Sequence, residues 1–83
     1  MPYIKPQERP QYDVVLDKLP EIQNKGHLEY CIFKVVKKFM ETREKRYGNY
    51  HDCVYGVEHC SDEYRRRFLD KREDQAIQEN GDV

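Results

Sequence analysis

A chain of 83 residues with 15 Lys and Arg against 16 Asp and Glu has room for one small domain and carries a formal net charge of −1. That balance lacks the basic footprint expected of a protein that binds genomic DNA or RNA, and no run approaches the roughly 18 consecutive apolar residues of a membrane span. Charged and hydrophobic residues each make up 37%, where globular chains average about 25% charged; the core of so short a chain is marginal, and self-association is expected to complete it.

Seven tyrosines, three phenylalanines and two long apolar-periodic stretches argue for a folded domain. The opening MPYIKPQERP has neither an apolar h-region nor a small-residue cleavage site, so a cytoplasmic protein is expected. Cys31, Cys53 and Cys60 are odd in number, which fits reduced thiols better than a disulfide framework.

Pro2, Pro6 and Pro10 recur every four residues and predict an extended arm over 1–10. Tyr12, Val15, Leu16, Leu19 and Ile22 fall at helical spacing and predict helix A over 11–24, kinked at Pro20 or split there into two short turns, and stopped by Asn24-Lys25-Gly26. Helix B is predicted over 27–46, with Leu28, Ile32, Val35 and Phe39 as a tight stripe and Gly48 as its cap. Cys31, Val36, Phe33 and Met40 widen the apolar sector to about 200°, more than one small neighbouring helix can cover. The surplus points to burial on two sides, most simply against a second copy.

Helix C is predicted over 50–73, with Asn49 as its N-cap and Val54, Val57, Ser61, Tyr64 and Phe68 on its apolar face. Gly56 in mid-helix costs about 1 kcal/mol relative to alanine, which suggests a close helix–helix approach there. Residues 74–83 read as a short turn and tail, with a tight turn at Asn80-Gly81. The fold class is therefore all-α: a three-helix domain with a proline-rich arm.

EYRRRFLDKRED, residues 63–74, holds five cations. Residues four apart face each other on a helix, so Asp62 and Asp70 neutralise Arg66, and Glu63 neutralises Arg67. Arg65 faces Ser61 and Leu69, and Arg72 faces Phe68 and Ala76. On an unbroken helix both lie within about 20° of Val54, at the edge of the apolar stripe. Uncancelled guanidinium forks in that position suit a phosphate or carboxylate, and Tyr64 offers a ring on which a base can stack. The same cations also fit pairing with acids of another helix or subunit.

Other chemistry fares worse. Cys53 and Cys60 are seven apart, too far to share a zinc ion, and His51 lies on a different face. Adjacent His59 and Cys60 diverge by about 100°, so they do not make a nucleophile and base. There is no phosphate-cradling glycine loop and no serine nucleophile motif. The lysines of helix B are interrupted by Glu29, Glu41 and Glu44, which disfavours a membrane-surface helix. A non-enzymatic protein without metal or cofactor is expected.

The start MPYIKPQERPQYD, with Pro2, Tyr3, Ile4, Pro6, Arg9 and Asp13, resembles the opening of a family of short phage and prophage proteins of unknown function. So does the end, where Glu63, Arg66 and Arg67 are followed by ED, Ile77 and ENGDV. The resemblance implies phage origin and residence in the cytoplasm of an infected bacterium, and it brings no activity. The family usually has an aromatic residue where this chain has Arg65, which moves weight to Arg66 and Arg67. In general build the chain is similar to phage nucleotide sponges, which hold cyclic nucleotide or cyclic ADP-ribose signals of host immunity without cleaving them; the likeness is of architecture, not motif.

The expected function is thus sequestration of an anionic nucleotide signal at a subunit interface of a homo-oligomer. Arg65, Arg66, Arg67 and Arg72 would hold phosphates, and Tyr64, Tyr3 and Arg9 would close the pocket. The rival is a protein–protein module whose helix B face and polar tail dock onto a host protein, and a minor virion component is a third possibility.

Overall fold

A computed structural model describes residues 2–83; Met1, the first residue of the expected arm, lies outside the described residues. The protein is all-α, with no strand among the described residues. The chain divides into two compact units, Tyr3–Cys53 and Val54–Val83 with Pro2.

In the first unit the arm is shorter than its prolines suggest. Lys5 is extended at φ −59° and ψ 140°, but Pro6–Glu8 already form a 3-10 turn and α1 (Pro10–Leu16) follows directly. Both elements begin on a proline. Its missing N–H is harmless at the first helical position, and its fixed φ is already helical. Helix A was expected to run to 24, and it ends at Leu16 instead. Pro20 explains the stop, because its ring would collide with the carbonyl four residues back, which belongs to Leu16. Asp17, Lys18 and Leu19 complete the exit with N–H donors to Asp13, Val15 and Leu16.

Asn24 was expected to end a helix, and it starts one. At φ −157° it caps α2 (Lys25–Glu41), its Oδ1 accepting the His27 N–H at 2.9 Å. At the far end α2 stops five residues before the expected 46. The Phe39 carbonyl there accepts Arg43 Nη1 at 2.8 Å, and the same guanidinium lies 3.6 Å from the Phe39 ring centroid. One side chain thus caps a terminal carbonyl and covers an aromatic ring.

The next helix, α3 (Tyr47–Tyr64), begins before Asn49, so Gly48 and Asn49 sit inside its first turn and neither acts as the expected cap. The Arg46 carbonyl accepts the N–H groups of Asn49 and Tyr50, while Asn49 Nδ2 donates to the Glu44 carbonyl at 2.8 Å. A π turn, Arg65–Leu69, carries α3 without a break into α4 (Asp70–Asn80). The backbone therefore reads as three helices, the last of them with an internal π turn. It runs past the expected 73 because residues 73–80 contain no breaker. Gly81 ends it at φ 84°, a conformation that favours glycine, with its N–H on the Ile77 carbonyl at 2.8 Å.

No described side chain is buried. Within the first unit α1 and α2 do not pack against each other, so the apolar stripe of α2 is left open. A Cβ added at Gly56 would meet nothing within 4 Å, which removes the close approach expected there. Two stability changes of opposite sign follow. Asn24→Ala should lower stability by about 1 kcal/mol through the lost cap, and Gly56→Ala should raise it by up to about 1 kcal/mol. Urea titrations followed by far-UV circular dichroism test both; a loss at Gly56→Ala would mean that a partner packs on that face.

Candidate functional site

The arginine cluster falls on the one irregular turn of the last helix. The Asp70 N–H donates to the Arg65 carbonyl, a bond spanning five residues where an α-helix spans four. Such a turn accommodates one surplus residue, and these turns occur often at functional sites. The surplus residue rotates everything after it by about 100° relative to a straight helix. Arg65 and Arg72, expected roughly 20° apart, are therefore separated by about 120°. The wheel that placed them together assumed an unbroken α-helix, and the turn between them removes that assumption.

What the turn does gather is Tyr64 to Phe68. The rings of Tyr64 and Phe68 lie 4.7 Å apart between centroids at 43°, inside the range of favourable aromatic pairs. The Arg67 guanidinium is 5.2 Å from the Phe68 centroid, near enough for a cation–π contact. Phe68 was expected on the same face as Tyr64, and the two rings do meet.

Arg66 takes Glu63, three residues back, as a partner. Its Nε lies 3.3 Å from Glu63 Oε2, and its Nη2 contacts Oε1 as well. Spacing three suits a helical pair as well as spacing four, and the two-pronged guanidinium engages both carboxylate oxygens. Glu63 was expected to serve Arg67. Its side chain is only 12% exposed while that of Arg66 is 70% exposed, so the carboxylate is enclosed and the guanidinium still faces solvent.

The Arg65 side chain makes no hydrogen bond or ion pair with any described residue, in keeping with its sequence neighbours Ser61 and Leu69. Arg72 Nη1 donates to Gln75 Oε1 at 3.3 Å, a neutral partner on its own helix.

Tyr3 and Arg9 belong to the other unit. Arg9 Nε donates to the Ile4 carbonyl at 3.1 Å, holding the arm against its own 3-10 turn. That bond gives Arg9 a local structural task. Tyr3 is 47% exposed.

A second cationic place went unnoticed in the sequence. Arg43, Glu44, Arg46, Gly48 and Asn49 line an open concavity of about 330 Å³ at the connection between α2 and α3. Its cations are already engaged. Arg43 holds the Phe39 carbonyl, Arg46 Nε pairs with Glu44 Oε2, and the Glu44 carboxylate opposes any incoming anion. The alternation of signs in TREKR was the available signal, and it marks internal pairing. Among the described residues no group of three or more His, Cys, Asp or Glu is placed to hold a metal, and no helix is long and apolar enough to cross a membrane.

Helices without a strand, a proline-started arm and a cationic π turn define a small all-α protein. The chain belongs to the family described as Domain of unknown function (DUF6899), whose model matches residues 1–83. No curated protein and no solved structure matches it.

The two central arginines should separate on stability. Arg66→Ala strips a donor from an enclosed carboxylate and should cost up to about 1 kcal/mol. Arg65→Ala breaks nothing and should stay within about 0.5 kcal/mol of the parent. Urea denaturation midpoints decide this; a larger loss for Arg65→Ala would reverse the assignment.

Proposed function

We propose that this is a non-enzymatic phage protein that binds and sequesters an anionic nucleotide signal of host immunity in the cytoplasm of the infected bacterium. The observation that supports this reading best is the π turn, which places three successive arginines beside an aromatic pair while Arg65 has no described partner. In this reading Arg65 and Arg67 take phosphate oxygens, and the solvent-facing side of Arg66 adds a third donor without releasing Glu63. The Tyr64 ring, 67% exposed, supplies a face on which a base can stack. Two-pronged guanidinium contacts suit phosphate geometry, and stacking adds affinity without demanding a particular base. Arg72 contributes long-range charge from a different face.

One observation favours the rival reading, a module that binds and modulates a host protein. The apolar stripe of α2 is uncovered, and no described side chain is buried; such surfaces mark interaction sites. The two readings separate by what the purified protein retains: a small anion in one, a host protein in the other.

Thermal-shift titration of the full chain with cyclic dinucleotides, cyclic trinucleotides and cyclic ADP-ribose isomers tests the proposal. At least one of these classes should raise the melting temperature, and Arg65→Ala should weaken its binding at least tenfold, the scale for losing one desolvated guanidinium contact, while leaving circular dichroism unchanged. No shift with any class, or binding indifferent to Arg65→Ala, rejects it.

A further inference from the structure

We propose that α2 is a self-association seam whose occupant is the α2 of a second copy of this chain. The proposal stands independently of the nucleotide reading. Its first support is spacing: Leu28, Ile32, Val35 and Phe39 are separated by four, three and four residues, the interval at which one helix presents knobs to the holes of another. All four remain open in the single chain, at 45%, 41%, 59% and 36% exposure. Phe33, 68% exposed, extends the same sector.

Area supports it next. Taking about 200 Å² for a whole large apolar side chain, these five leave on the order of 500 Å² uncovered. A stable interface removes roughly 800 Å² per partner. Cys31, Val36 and Met40, half-buried beside the stripe, and the stems of Lys34 and Lys38 can supply the remainder. One helix thus presents most of an interface.

Two facts favour a second copy over a different protein. The stripe is bordered on the helix by both signs of charge, Lys25 and Lys38 with Glu29, on a chain of net charge −1, so like chains approach without strong repulsion. In addition, a chain with no buried side chain among its described residues needs cover from the moment it is made, and its own copies are the one partner always present in matching amount. A heptad-like stripe is also complementary to itself.

Light scattering coupled to size exclusion, run on the full chain from about 1 to 100 μM, should return a multiple of 10.1 kDa that falls apart only on dilution. Ile32→Ser and Val35→Ser should each weaken association at least tenfold, whereas Val54→Ser on α3 should change it less than threefold. Helicity measured at matched fractions of associated chain guards against mistaking unfolding for dissociation. A 10.1 kDa species that unfolds cooperatively at 100 μM overturns the proposal, as does association more sensitive to Val54→Ser than to Ile32→Ser. Assembly that appears only after another protein is added overturns it as well. None of these outcomes bears on whether the arginine turn binds a nucleotide.

Discussion

Short-range hydrogen bonding is what this fold depends on. Each helix is closed by backbone bonds that reach three to five residues, and most of the joints are closed by side chains acting over a similar range: Asn24 on His27, Arg43 on Phe39, Asn49 on Glu44, Arg9 on Ile4. Local bonds set the course of the backbone well, but they stabilise weakly. Isolated helices shorter than about 12–15 residues are marginal in water, and in most proteins the packing of an apolar face makes up the deficit. Here no described residue is buried, so little of that contribution is made within the described chain.

The sequence revealed the helices themselves more readily than their ends. Periodicity located α1, α2 and the long third helix because apolar spacing reflects which face will be covered. The ends turned on residues that serve two purposes. Asn24 carries chemistry suited either to stopping a helix or to starting one, and only its extended backbone at φ −157° decides for the second. Pro20 was read as a kink, although the collision it imposes falls on the Leu16 carbonyl and ends the helix. Gly48 was read as a cap because glycine often is one; Arg43, a side chain with no strong capping signature, closed α2 in its place.

The same contrast runs through the candidate site. Which arginine lacks a neighbouring acid was readable, since it depends only on residue spacing, and Arg65 is indeed without a described partner. Which acid Arg66 selects was not, because spacings three and four are both available and the choice follows from side-chain reach. The π turn left no mark in the sequence at all. Nothing in RRRFL specifies a five-residue bond, and every angle drawn through that stretch on a straight wheel inherited the error. Arg65 and Arg72 show the result, drawn together on the wheel and set apart by the turn, whereas Tyr64 and Phe68, also drawn on one face, do meet.

The surplus residue of that turn also has a genetic consequence. Loss of a single in-frame codon between Arg65 and Leu69 would let the helix return to ordinary winding and leave the stretch that holds Ile77 facing as it does now, because the turn already absorbs the surplus residue. Chains that differ here by one residue would thus present their final turns in the same direction. Comparison of such relatives has to count from each side of the turn separately, since one continuous register misassigns every face beyond it.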